Sequence, residues 1–397
     1  MITTPSQPGD HPMGGDTVQG MLRGFTIGIT ADRRWDEQAS LFDRRGATVI
    51  HGPSIRTLPL GSDAGLREAT ESVIAHPPAA LVANTGLGIR SWFSAAENWG
   101  MGDALLDALS KTRIYARGPK ASGAIHTVGL EIVAKAATER LTEVIELAMA
   151  DLSPGETVVF QADGGGAPAE LERFGTVGAE VLVVPVYQWT IPDDPSAAVR
   201  LAEAVVARKV HAVTFTAGPA IRNWMLIAAD YGMADELRSA LCSGDVVIGC
   251  VGPVCADVAA KVGIESSRMV VPAAFRLGPL VRVVADELVR MVVTVELGGG
   301  TLSIAGNRVA LGDQEVVLSD LDARLLAALA SPAGSLRTKA DLATVVWRDA
   351  HTDPHAIEAA IARLRARLQP LGLRVDVLRR RGYVLTDTVA ATRSADS

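Results

Sequence analysis

Between Pro354 and Leu385 seven arginines meet only two acids, Glu358 and Asp376. Guanidinium groups at that density pair with phosphate oxygens and guanine edges, the chemistry of duplex recognition. The candidate DNA contacts are His355, Arg363, Arg365, Arg367, Arg379, Arg380, Arg381 and Tyr383. A second set of candidates lies in five glycine-rich turns: Asn84–Arg90, Ala116–Ser122, Gln161–Gly166, Thr216–Pro219 and Val251–Cys255. Backbone amides at such turns attract anions, and Arg90, Arg117 and Lys120 add positive charge. The candidate ligand contacts there are Thr85, Gly86, Arg90, Arg117, Lys120, Ser122, Gly164, Gly165, Thr216 and Cys255. No turn completes GxGxxG with a following ribose acid, which argues against a dinucleotide and leaves no cofactor implied. The bland alternatives are a solvated charged face for the arginines and tight strand-to-helix turns for the glycines.

These groups need elements to hold them. Pro354 opens a helix that runs to about Leu368, with Ile357, Ile361, Leu364 and Leu368 on one narrow stripe. That stripe packs inward, and His355, Ala359, Ala362, Arg363 and Ala366 lie opposite, with Arg365 and Arg367 on the flanks. Helices over 321–330 and 339–347 precede it, and short strands over 301–305, 308–311 and 315–318 come before those. Residues 374–385 form a hairpin with three consecutive arginines. A basic ribbon after a basic helix suits a helix in the major groove and a ribbon on the adjacent backbone. Upstream, strands at 25–29, 48–51, 80–83, 113–116, 157–161, 180–186, 212–216, 246–250 and 268–271 alternate with helices. Alternation of that kind implies parallel sheets covered on both faces, as two α/β lobes with a ligand cleft between them.

The carboxyl-terminal segment resembles the OmpR/PhoB-type effector domain of response regulators. Val317–Leu326, Leu342–Trp347, Ala360–Leu368 and Leu378–Leu385 carry the resemblance. It implies that Ala356–Leu368 is the recognition helix, that Arg379–Tyr383 is the wing, and that a homodimer binds direct repeats in double-stranded promoter DNA. Residues 23–297 resemble uroporphyrinogen-III synthase, which closes a linear tetrapyrrole without a cofactor and has two α/β lobes joined by a two-stranded connector. Its Gly-x-x-Thr-Ala turns fall on Gly118–Ser122 and Gly252–Ala256, so the family threonines become Ala121 and Cys255. Ala217 stands at a family serine, while Tyr187 matches the cleft tyrosine, the favoured proton donor. Loss of those hydroxyls removes donors aimed at developing charge and predicts a retained cleft with diminished or absent synthase activity.

At 397 residues the expected division is a disordered leader at 1–22, a two-lobed body at 23–297, a winged helix-turn-helix domain at 298–388 and a disordered tail at 389–397. The lobes are expected at about 23–58 with 188–297, and 59–187. The leader has no apolar core and is no signal peptide. The net charge of −7 divides into +2 for residues 301–397 and −9 for the remainder, an acidic body with a basic patch. No apolar run is long enough to cross a bilayer. Three cysteines without a CxxC pair fit buried thiols in a reducing cytoplasm and imply no metal. Three functions fit: a regulator whose body senses a tetrapyrrole or other small anion, a working synthase that also binds DNA, or a body that only dimerises or docks a partner. Actinobacterial regulators with this domain order are associated with nitrate and nitrite assimilation, so the resemblance extends to that pathway.

Overall fold

The computed structural model describes residues 20–61, 63–379 and 381–387. The expected leader lies largely outside the described residues, as does the expected tail. Leu22 is an exception: it is fully buried beside Phe25, Phe42 and Leu280, so it belongs to the body rather than to a leader. The chain divides into two compact units, Ile55–Asp193 and the segments on either side of it. Both lobe limits therefore shift by a few residues from those expected.

In Ile55–Asp193 a parallel sheet runs, edge to edge, Ala134–Lys135, Arg113–Ala116, Ala80–Ala83, Thr157–Ala162 and Glu180–Pro185. Leu81 and Ala83 join Ile114 and Val159 in one core, while Ala80 and Val82 join Tyr115 and Phe160 in another. A strand buried on both faces must be apolar throughout, which is why Ala80–Ala83 carries no polar residue. The sheet reverses its direction of growth between Ala80–Ala83 and Thr157–Ala162, and such a switch point opens a crevice at the strand C-termini. An antiparallel pair, Arg56–Pro59 with Tyr187–Thr190, carries the chain in and out of this unit.

The other unit holds a second parallel sheet, in the order Thr48–His51, Thr26–Ile29, Ala212–Phe215, Val247–Cys250 and Met269–Val270. It also holds the winged helix-turn-helix. Four antiparallel strands, Val293–Leu297, Gly300–Ala305, Arg308–Leu311 and Gln314–Val317, lead into helix Asp320–Ala330. Residues 293–297 were expected in the body, with no strand assigned to them; the register with Gly300–Ala305 joins them to the winged-helix sheet. Helix Lys339–Leu342 continues as a π-turn over Ala343–Trp347 and stops at Arg348, which is left-handed at φ 58°. Helix Pro354–Leu368 follows, and strands Leu373–Leu378 and Gly382–Asp387 form the closing hairpin.

The winged helix is seated on the neighbouring sheet through a backbone contact. The Asn307 N–H donates to the Gly24 carbonyl at 3.0 Å. A Cβ on Gly306 would lie 2.1 Å from that same oxygen, so only glycine fits there. Nearby, the Thr26 N–H donates to His211 Nδ1 at 3.0 Å, which leaves the ring proton on Nε2 and the imidazole neutral. Burial lowers the His211 pKa below its ordinary 6.5; Asp320 opposes that shift and Arg324 reinforces it. The unfolded chain thus binds a proton that the folded one refuses. Stability is complete above pH 6.5 and falls as pH drops below it, by at most about 1.4 kcal/mol per pH unit. Urea titrations between pH 5 and 8 should show this slope, and His211→Asn, which keeps an acceptor for Thr26, should flatten it.

Candidate nucleic-acid interface and the glycine turns

Helix Pro354–Leu368 starts where the Asp353 side chain accepts the His355 N–H at 2.9 Å. Its inward stripe is as expected: Ile357, Ile361, Leu364 and Leu368 are essentially buried. The opposite face exposes His355, Ala359, Ala362, Ala366 and Arg367. Small side chains there let a helix approach a groove closely, and Arg367 has no protein partner among the described residues. On the hairpin, Arg379 and Arg381 are exposed around a turn closed by the Arg381 N–H and the Leu378 carbonyl at 2.8 Å. Arg380 lies outside the described residues.

Three of the expected contacts also have structural duties. Arg363 grips Asp322 in a forked pair, with Nε 3.1 and 3.0 Å from the two carboxylate oxygens and Nη2 2.8 Å from one of them. Asp322 is only 3% exposed in its side chain, and this cation balances it. The pairing raises the Arg363 pKa further. Arg365 donates through Nε to the Val375 carbonyl at 2.8 Å, joining the helix to the hairpin. Tyr383 is 6% exposed inside the domain core, and its backbone pairs both ways with Arg337. The sequence places Asp322 in the first turn of its helix, where an acid suits the positive end, but the pairing with Arg363 was missed. The signal was present, because Asp322, Leu326 and Leu329 share one helical stripe, and an acid on an apolar stripe requires a cation from another element.

In Ile55–Asp193 three of the five glycine turns lie at the ends of adjacent strands. Thr85 caps helix Gly86–Asn98 by accepting the Gly88 N–H at 3.0 Å. Its own N–H donates to Gln161 Oε1 at 2.9 Å, and its hydroxyl lies 3.2 Å from the Tyr187 hydroxyl. Thr85, Gln161 and Tyr187 thus form one polar group, and Tyr187 is 4% exposed. Gly86 leaves room for the Lys120 carbonyl, which a Cβ would approach to 2.2 Å. Gly164 packs under Trp189, 2.4 Å from where a Cβ would stand, so the indole requires this glycine. The Gly165 N–H donates to Asp163 at 3.0 Å, and burial raises the Asp163 pKa against that bond. Arg117 is already engaged, through Nε with the Glu139 carbonyl and through Nη1 with Asn84 Oδ1, both at 2.9 Å. Arg90 and Lys120 are exposed, and Ser122 is half-buried within helix Pro119–Thr127.

The other two turns belong to the other unit. Thr216 is half-buried after strand Ala212–Phe215. Cys255 is buried in helix Pro253–Lys261, with Sγ 3.6 Å from the Phe215 carbonyl. A hydrogen bond with Cys250, together with burial, pushes its thiol well above the ordinary value, so it stays protonated. Among the described residues no three His, Cys, Asp or Glu side chains gather as metal ligands. No described helix is long and apolar enough to cross a membrane.

Parallel α/β sheets followed by a winged helix define a DNA-binding regulator with an enzyme-type body. Residues 36–282 match the family model of uroporphyrinogen-III synthase HemD, and residues 313–385 match that of the C-terminal domain of transcriptional regulatory proteins. The chain belongs to the uroporphyrinogen-III synthase family and carries an OmpR/PhoB-type DNA-binding domain at its carboxyl end. It is 26% identical over 266 residues to the protein YjjA of Bacillus subtilis, covering 66% of this chain and 94% of that one. A mutant uroporphyrinogen III synthase from Thermus thermophilus shares the fold at a TM-score of 0.56 and 24% identity, over 67% of this chain and 99% of that one. The DNA-binding domain of Klebsiella pneumoniae RstA is 27% identical, over 23% of this chain and 96% of that one, with a TM-score of 0.21.

Arg363→Ala should cost about 1–2 kcal/mol of stability by stranding the Asp322 carboxylate, less than for a fully buried pair because Arg363 is half exposed. Arg367→Ala should leave stability within about 0.5 kcal/mol. Chemical denaturation of both variants separates the buttress from the free cation.

Proposed function

We propose that this chain is a cytoplasmic transcriptional regulator that grips promoter DNA as a homodimer through Pro354–Leu368 and the Arg379–Arg381 turn, under the control of a small anion read by its synthase-like body. The observation that carries the DNA reading is a helix with one face sealed into the domain core and the other lined by alanines beside an unpaired Arg367. The anion reading rests on the helix N-termini and glycine turns around Thr85, Gly86 and Lys120, with Arg90 exposed beside them. A tetrapyrrole precursor is the ligand that family membership suggests. The resemblance to nitrate and nitrite regulators adds a reason, because siroheme derives from uroporphyrinogen III. A genome-wide footprint of the bound DNA tests that assignment, and targets unrelated to nitrogen assimilation overturn it.

Fluorescence anisotropy of the full-length protein on footprinted duplexes tests the DNA reading. Arg367→Ala and Arg379→Ala should each weaken binding and lower the magnitude of the slope of log K against log salt by about one. Unchanged affinity and slope in both variants rule out this helix and this turn as the interface.

A second reading, a working synthase that also binds DNA, is favoured by the linked hydroxyls of Thr85 and Tyr187. Against it stand Ala121, Ala217 and Cys255 where the family has hydroxyls. Purified protein given hydroxymethylbilane should yield only the uninverted isomer that spontaneous ring closure gives, with no uroporphyrinogen III above a protein-free control. Turnover that disappears in Tyr187→Phe would establish the enzyme instead.

A further inference from the structure

A cavity of about 560 Å³ lies between the winged helix and the sheet on which it is seated, far from the glycine turns at 84–90, 116–122 and 161–166 in sequence. One wall is apolar, built by Phe25, Val205, Val210, Val246 and Met291. Helix Asp320–Ala330 supplies the facing wall through Asp320, Ala323, Arg324 and Ala327, which recur at helical spacing along one face. Its other face turns Leu325, Leu326 and Leu329 into the domain core.

Three guanidinium groups converge on this cavity, and one carboxylate serves two of them. Asp245 pairs with Arg208 through one oxygen and with Arg348 through the other, the latter at 2.8 Å. Arg324 donates through Nη1 to the Arg208 carbonyl at 2.8 Å. It has no carboxylate within ion-pairing distance among the described residues, and its Nε is buried without a partner. Burial first, and then the charge of Arg208, disfavour its protonated form, while Asp320 and Asp245 oppose them without pairing with it directly. A largely buried cation without a direct ion pair is uncommon in folded proteins, because its desolvation is only partly compensated. Asp235 and Glu236 stand at the cavity edge and would repel a second negative charge on an occupant.

We propose that this cavity binds an apolar-bodied organic monoanion, its carboxylate on Arg324 and its hydrocarbon against Phe25, Val205, Val210 and Met291. The volume falls within the roughly 300–1,000 Å³ range of small-molecule sites, and the acidic edge excludes the polycarboxylates suited to the body. The occupant touches the helix whose Asp322 holds Arg363 of the DNA-facing helix. It also lies against Arg208, which donates to the Val346 carbonyl at 2.7 Å just before that helix. Binding therefore alters the seating of the DNA-facing helix; this consequence, unlike the site itself, rests on the regulator reading.

Calorimetry on the full-length protein without DNA tests the site, with benzoate, 4-phenylbutyrate and octanoate as probes and their neutral amides as controls. At least one acid should bind at least about tenfold tighter than its amide, the increment of a charge-assisted bond. Arg324→Gln should bring that acid down to the level of its amide. Ala240→Trp, which fills the cavity from its rim, should abolish binding of both while leaving the melting temperature near that of the parent. No binding by any acid, equal binding of acid and amide, or undiminished binding in Ala240→Trp overturns the site, even if Arg324→Gln does not fold. Anisotropy on footprinted duplex then reads the coupling: saturating acid should shift the dissociation constant at least threefold in the parent and not in Ala240→Trp. An unshifted constant overturns the coupling alone, whereas absence of any duplex binding overturns the regulator reading and leaves the calorimetric result standing.

Discussion

A carboxylate taken out of water is costly unless its oxygens find partners, and Asp322 imposes that condition on the DNA-binding domain. The side chain lies among leucines on the inward face of the first helix, and among the described residues only Arg363 of the third helix is paired with it. Apolar packing alone would allow two helices to slide or rotate at modest cost, since methyl groups have no preferred partner. A forked guanidinium–carboxylate pair sets both distance and rotation. The direction in which Ala359, Ala362, Ala366 and Arg367 face outward depends on that setting. The pair spends one arginine of the basic patch on orientation, so the local charge of Pro354–Leu385 overstates how much is free for phosphates.

The same economy governs the turns of the body. Thr85, Gln161 and Tyr187 satisfy one another, Arg117 serves Asn84 and the Glu139 carbonyl, and Gly164 makes way for Trp189. Much of what a ligand site needs, such as polar groups at strand ends and glycine where space is short, is also what closes a parallel strand onto its next helix. The surplus over that structural requirement is small, with Arg90 an exposed cation. Family membership therefore fixes the architecture of this body more firmly than its chemistry.

Most of the elements could be read before the fold was seen. Strands such as Ala80–Ala83 and Arg113–Ala116 are short apolar runs bounded by turn residues, and they occur where expected. Strand Val293–Leu297 was not expected at all, its residues being counted in the body; its antiparallel register with Gly300–Ala305 joins it to the winged-helix sheet. Helical spacing gave the buried stripe of Pro354–Leu368 correctly. It could not say which outward arginine has a partner, because the partner of Arg363 lies 41 residues earlier. Tyr383 misled for a related reason: a tyrosine beside three arginines reads as part of a binding surface, yet strand alternation puts it on the buried side of the hairpin with Leu385.

One strand has a consequence for how the molecule is made. Thr26–Ile29 stands between Thr48–His51 and Ala212–Phe215 in its sheet. Thr26 and His211, which bond across it, are 185 residues apart in the chain. At about 5–20 residues per second of synthesis, the early strand waits on the order of 10–40 s for its neighbour to leave the ribosome. All of Ile55–Asp193 emerges in that interval with every strand of its own sheet available. The interrupted sheet, and the DNA-binding domain seated on it, are completed last, so no nascent chain can hold the promoter before its inserted lobe has been synthesised.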